Sequence, residues 1–275
     1  MMVDFDPLYR WLIALDIDGT IVSKRGDVHE SVKKEIRRVV DLGHEVTLAT
    51  GRSVSDTFPI LNQLGISPEY VVCTNGATVL RRDPIEPSGY AYEWVETFSP
   101  ATVLTTIQPY LPEGKYAVED EHGDYYYTEP FPGYANAPKS HKVPFNDLLF
   151  IDATRVVVIS PEHDTGLEQF LGMVDKMGLH SVSYDVGFTG WLDIAPEGVN
   201  KATGLERVRE KLGIPRSHVV AVGDGKNDVE MLEWAAAMGR GVAMGQAPIE
   251  VATVANEMCP SVEENGVLTV LKAFR

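Results

Sequence analysis

Two aspartates, Asp16 and Asp18, stand two positions apart where the apolar run Trp11 to Leu15 gives way to Gly19-Thr20. Side chains at that spacing on a strand project toward the same side. A strand ending here presents both carboxylates at its carboxyl end, where open α/β sheets bind ligands. One can then act as a nucleophile while the other moves protons. A calcium loop uses similar letters, but it needs glycine at its sixth position and a flanking helix. Gly19 is fourth from Asp16 and follows a strand-like run, which excludes that reading. An Asp-Gly pair also simply ends strands and makes turns, so the motif alone leaves two readings open.

Three more segments carry comparable chemistry. In Thr47 to Arg52 (TLATGR) the Thr50 hydroxyl and a close backbone approach at Gly51 suit an anion, although a strand-to-helix turn with a solvated Arg52 has the same letters. Lys201, in APEGVNKATG, falls at a helix start. A cation gains nothing from the helix dipole there, which favours a binding role over a surface one. In Val222 to Asp228 (VGDGKND), Asp224, Asn227 and Asp228 offer hard oxygen ligands of the kind Mg²⁺ prefers. The alternative is an Asp-Gly turn leading to a helix cap. Gly223-x-Gly225 lacks the third glycine of a dinucleotide fingerprint.

Each segment needs an element to hold it. WLIALDID reads as a buried strand, and His29 to Asp41 puts Val32, Ile36, Val39 and Val40 on one helical face before Gly43. HEVTLAT is the next strand, Ser53 to Leu64 a helix closed by Gly65, and YVVCT a third strand. This β-α-β-α-β order predicts a parallel sheet covered by helices. After Asn75-Gly76 the chain becomes turn-rich and aromatic: ATVLRR and GYAYEWVE form a hairpin pair, and Ser99 to Leu111 is a helix with Ser99 as cap and Pro100 at its first position. KYAVED, DYYYTEP, RVVVIS and HSVSYDV read as strands, with a helix from Thr165 to Met177. From Trp191 the α/β rhythm returns: WLDIA, a helix Lys201 to Leu212, HVVAVG, a helix Asn227 to Ala237, GVAM, and closing helices Ile249 to Asn256 and Val267 to Phe274. The expected organisation is a discontinuous α/β core, residues 1–83 and 192–275, interrupted by an α+β domain at 84–191. Tyr125, Tyr126, Tyr127 and Trp191 in that insertion read as its core rather than as ring-stacking residues.

The 275 residues are 44% hydrophobic and 23% charged, which excludes disordered and fibrous classes. A net charge of -16 opposes general nucleic-acid or membrane-surface binding. It does not exclude an anionic substrate, since a bound cation reverses the potential inside a cleft. Cys73 and Cys259 lie far apart without a CxxC pair, and no signal-peptide or membrane-spanning run is present. The expectation is a soluble cytoplasmic protein.

The four segments in this order resemble the haloacid dehalogenase (HAD) superfamily of phosphatases, and the whole chain is similar to its Cof-type branch, subclass IIB with a C2B cap. The residues carrying the resemblance are Asp16-x-Asp18-Gly19-Thr20, Thr50-Gly51-Arg52, Lys201 and Gly223-Asp224-Gly225-x-Asn227-Asp228, with Asn75-Gly76-Ala77 and Gly241 to Gly245 as further marks. Gln246 departs from the asparagine common in that branch. Thirty-two positions separate Asp18 from Thr50 and 151 separate Thr50 from Lys201, so a large insertion fits between the second and third segments only. The resemblance implies a HAD-like Rossmannoid α/β core with an inserted α+β cap. It also implies Mg²⁺-dependent hydrolysis of a small phosphorylated metabolite: a sugar phosphate, phosphoglycolate, a nucleotide or a cofactor phosphate.

In that scheme Asp16 attacks phosphorus, being anionic at neutral pH because an aspartate titrates near about 3.9. Asp18 protonates the leaving group and later deprotonates water. Thr50 and Lys201 bind phosphoryl oxygens. Mg²⁺ sits on Asp16, Asp18 (through its main-chain carbonyl), Asp224 and Asp228, and Gly19, Gly51, Arg52, Asn75 and Asn227 contact substrate. Three alternatives remain: a phosphomutase of related fold, a receiver-type signalling module, and a non-catalytic binder of a phosphorylated ligand.

Overall fold

A computed structural model describes residues 10–23, 26–130, 139–160, 182–186 and 191–275. Strand β1 (Leu12–Leu15) is buried throughout and sends alternate side chains into two apolar layers. Helix α1 (Glu30–Asp41) begins at His29, whose Nδ1 accepts from the Ser31 N–H at 3.3 Å, and buries Val32, Ile36 and Val39. After β2 (Glu45–Leu48), helix α2 (Val54–Leu64) is capped by Ser53, which accepts from the Asp56 N–H at 3.1 Å, and stops at the left-handed Gly65. These ends match the sequence pattern because each is a local choice.

Strand β3 (Tyr70–Cys73) departs from expectation. It pairs antiparallel with β4 (Thr78–Arg82), and β5 (Tyr90–Val95) completes that three-stranded sheet. It meets the end of β2 through the isolated parallel bridge Ala49–Val72. Side chains stand in for the missing ladder, with Thr47 Oγ1 donating to the Tyr70 carbonyl and Glu45 accepting from the Glu69 N–H.

The next elements are α3 (Ala101–Ile107), β6 (Lys115–Glu119), β7 (Tyr125–Tyr127), β8 (Ser140–Lys142), α4 (Phe145–Leu148), β9 (Arg155–Ile159), β10 (Val182–Val186) and β11 (Trp191–Pro196). They build a mixed sheet of order β10-β11-β9-β6-β7-β8, in which β7 and β8 run parallel. One face packs Val118, Val156, Val158, Leu192 and Ile194 against Val103, Leu104 and Ile107 of α3. Tyr125 is buried on the other side with its hydroxyl donating to Glu119 at 2.9 Å, a core role. Helix α3 starts one residue later than expected. Pro100, already helical at φ -77, supplies the first accepting carbonyl, so Ser99 falls outside the cap. Strand β11 pairs with β9 and β10, so the α/β rhythm resumes at Asn200 and not at Trp191. A short apolar run carries no mark of which neighbour it will pair with. The expected helix Thr165 to Met177 lies outside the described residues.

The core then continues through α5 (Lys201–Leu212), β12 (Val219–Gly223), α6 (Val229–Ala236), β13 (Arg240–Ala243), α7 (Ile249–Ala252), β14 (Glu257–Met258) and α8 (Val267–Leu271). Its sheet is parallel throughout, in the order β14-β13-β12-β1-β2. Helix α7 ends at Ala252, not Asn256, and the chain re-enters the sheet as β14, two exposed residues too short to show a strand pattern. Helices α1, α2 and α8 cover the face bearing Ile13, Leu15, Val46 and Val222, while α5 and α6 cover the face bearing Leu12, Ala14 and Ala221. Each layer buries enough apolar area, at roughly 25 cal/mol per Å², to fix the register of the strands carrying the motifs. The chain divides into two compact units, Met1–Trp94 with Asn200–Arg275, and Val95–Val199. Among the described residues no helix is long and apolar enough to cross a membrane.

Candidate active site

From β1 the chain proceeds to β2 on one side and later to β12 on the other, so the strand order reverses between β1 and β12 while the strands stay parallel. Such a switch point opens a crevice beyond the carboxyl ends of its strands. Asp16 follows β1 there, its N–H donating to the Val222 carbonyl at 3.0 Å, and Asp224 follows β12. Lys201 enters from the first position of α5, which Asn200 caps by accepting from the Thr203 N–H at 3.1 Å. Its ammonium is fully buried and donates to Asp16 Oδ1 at 2.6 Å and Asp228 Oδ1 at 2.7 Å. The other Asp228 oxygen accepts from the Asp224 and Gly225 N–H groups, both at 2.9 Å. Asp228 therefore binds Lys201 and the loop after β12 into one unit.

Three carboxylates thus face one ammonium. Burial, then Asp228, pushes the Asp16 carboxyl well above its ordinary range, with Lys201 opposing the shift, so the free-aspartate value expected from the sequence does not hold at this site. Burial pulls the Lys201 ammonium down, but Asp16 and Asp228 outweigh it and hold the group above its ordinary value. Asp224 is pushed up to about 6, mainly by burial. Oxygens of Asp16, Asp224 and Asp228 lie within 4.8 Å of one another, a hard donor set that fits a divalent cation. Gly19 makes room for the Asp224 carboxylate: at φ +82, a side chain there would start 2.2 Å from Asp224 Oδ2.

The Thr50 loop is held by the turn after β3. Thr50 N–H donates to the Val72 carbonyl at 3.0 Å, Thr74 N–H to Arg52 at 2.8 Å, and Asn75 N–H to Thr50 at 3.0 Å. Thr74 and Asn75 both take positive φ, 51 and 49, a costly conformation for a β-branched threonine. Thr50 is buried and its hydroxyl oxygen accepts from the Arg52 N–H at 3.1 Å, which leaves its O–H to donate elsewhere. Asn227 donates to Asn75 Oδ1 at 3.0 Å, tying this turn to the loop after β12.

Asp18 stands apart from the carboxylate cluster. Its side chain is 62% exposed and grips Arg52 through two bonds of 2.6 and 2.7 Å. The sequence assigns Arg52 and Asp18 separate roles, and their pairing across 34 positions carries no sequence signal. Gln246 is a second contact the motifs did not assign: its amide donates to the Gly19 carbonyl at 2.6 Å and to Asp224 Oδ2 at 3.1 Å. The structure thus gathers Asp16, Lys201, Asp224 and Asp228 around one point, places Gly19 against Asp224, and joins Asn75 to Asn227.

The chain is similar to known proteins along nearly its whole length. The family model described as haloacid dehalogenase-like hydrolase matches residues 13–271. The chain belongs to that family. Among HAD relatives, it is 30% identical to the 5-amino-6-(5-phospho-D-ribitylamino)uracil phosphatase YitU of Bacillus subtilis, covering 96% of this chain and 97% of the relative. It is 27% identical to the phosphoglycolate phosphatase of Natronomonas pharaonis, covering 96% and 97%. Its fold matches the HAD subclass IIB sugar phosphatase BT4131 with a TM-score of 0.79 at 18% identity, over 96% of this chain and 98% of that one. The HAD chain is accordingly a phosphoric monoester hydrolase of the Cof-type branch, with a parallel core and an inserted mixed sheet.

Proposed function

We propose that this enzyme hydrolyses a small phosphomonoester through a phosphoenzyme formed on Asp16. The buried contact of Lys201 with Asp16 and Asp228, beside Asp224 at the switch point, supports this reading most strongly. Lys201 holds one Asp16 oxygen, and the other forms the new bond to phosphorus as the bond to the leaving oxygen breaks. Two of the three ammonium donors are taken, so the third serves a phosphoryl oxygen together with the Thr50 hydroxyl. Asp18 gives its proton to the leaving oxygen, then takes one from the water that attacks the phosphorus and restores the Asp16 carboxylate. Its carboxyl must leave Arg52 to do so, which opens Arg52 to an anionic group on the substrate. Mg²⁺ held by Asp16, Asp224 and, as the family resemblance implies, the Asp18 carbonyl would offset the repulsion between nucleophile and phosphate. Asp228 supports the same centre by fixing Lys201. Gly19, Gly51, Asn75 and Asn227 line the approach.

YitU, the phosphoglycolate phosphatase and BT4131 carry names with three different leaving groups, which supports a phosphorylated metabolite as a class. Both cysteines are free thiols, in keeping with a reducing cytoplasmic compartment. The test is hydrolysis of p-nitrophenyl phosphate with Mg²⁺. Asp16→Asn should abolish phosphate release with its melting curve intact, and retained activity would sink the mechanism. Hexose 1-phosphate separates hydrolysis from the mutase alternative: free phosphate supports the proposal and an isomerised sugar phosphate opposes it.

A further inference from the structure

Gln246 is exposed, a position at which an amide is ordinarily satisfied by water and keeps its rotamer freedom. Here it makes three protein hydrogen bonds. Nε2 donates to the Gly19 carbonyl at 2.6 Å and to Asp224 Oδ2 at 3.1 Å, while Oε1 accepts from the Val262 N–H at 3.0 Å. Only this amide orientation works, since the reverse would set an oxygen against a carbonyl and a carboxylate. The bonds join the loops that follow β1, β12 and β14. Among the described residues, the other side chain on the Asp224 carboxylate is Thr20, at 3.5 Å, the outer limit of a hydrogen bond. Gln246 therefore supplies the firmer of the two restraints on that carboxylate. It also pins the main chain at Gly19, whose missing side chain allows Asp224 to approach.

We propose that Gln246 is a positioning residue that sets the affinity of the site for its divalent cation by fixing Asp224 and the Gly19 main chain. This inference rests on the reading of Asp224 as a cation ligand. Its test is calorimetric titration of Mg²⁺ into substrate-free full-length protein: wild type, Gln246→Ala, the length-matched Gln246→Met, and Asp224→Asn. Hydrolysis of p-nitrophenyl phosphate is then followed against Mg²⁺ concentration. Losing these hydrogen bonds at an exposed site should lower the melting temperature in EDTA only slightly, so both variants stay folded for the titration. Both Gln246 variants should weaken Mg²⁺ binding by about tenfold to a hundredfold. At saturating Mg²⁺ their kcat should return toward wild type with KM for the aryl phosphate unmoved. Unchanged Mg²⁺ affinity in both variants, with Asp224→Asn weakened, would overturn the role of Gln246 alone. A wild type that takes up no Mg²⁺, or an Asp224→Asn that binds it as wild type does, would overturn the reading of the site and this inference with it.

Discussion

At the scale of single residues, Lys201 shows one interaction outweighing another. A cation at the first position of a helix forgoes the dipole's favour, worth about 0.3–1 kcal/mol, yet two buried carboxylates at 2.6 and 2.7 Å hold it there. Lys201→Met removes the cation and leaves Asp16 and Asp228 facing each other. A loss of about 3 kcal/mol in urea unfolding at pH 8 is expected, with phosphatase activity down at least a hundredfold. Because Asp16 titrates above its unfolded value, proton uptake relieves the pair, so the deficit should shrink as pH falls. A deficit constant with pH would contradict this account. The residues of the four motifs were legible because each motif is short and contiguous. The Arg52 contact with Asp18 spans 34 positions and that of Gln246 with Gly19 spans 227, distances at which spacing carries no information.

At the scale of elements, the turn after β3 and the start of α5 must touch for Lys201 to reach the site. Gly76 has φ +96, and a side chain on it would begin 2.1 Å from the Asn200 carbonyl, the residue that caps α5. Gly76→Ala should cost several kcal/mol, about 3 or more, by combining a strained backbone with a main-chain clash. It should also lower kcat by displacing Lys201; unfolding and kinetic measurements that match wild type would refute the packing argument. The starts of β1 and β2 are joined by His44, whose Nδ1 accepts from the Trp11 N–H at 3.2 Å and so requires a neutral ring. Burial, then Arg10 and Arg38, pulls its pKa down to about 4. The unfolded chain takes up that proton first. This contribution is complete above the unfolded pKa of about 6.5 and is lost as pH falls toward 4. His44→Asn, which keeps an acceptor, should flatten the decline in urea midpoint between pH 7 and pH 4.5; an unchanged slope would exclude His44 as its source. Helix ends and buried strands were legible from local pattern. The partners of β3 and β11, and the existence of β14, were not, because pairing is decided by packing outside the strand itself.

At the scale of the whole molecule, a charge of -16 first serves to exclude polyanionic partners. The structure gives part of it a use, gathering Asp16, Asp224 and Asp228 at one sheet crevice with Lys201 among them. The organisation of the chain, a parallel core interrupted once, was legible because the α/β rhythm stops and restarts. Identity of the leaving group was not, because it depends on the shape of a site and not on a repeating pattern. The central proposal is that Asp16 carries the phosphoryl group between substrate and water. Asp18→Asn slows the second step, and an aryl phosphate whose leaving group needs no proton still drives the first. That variant, quenched in acid during turnover and reduced with borohydride, should yield homoserine at position 16. Turnover with no reduced residue at that position, or with the reduced residue elsewhere in the chain, would contradict the account.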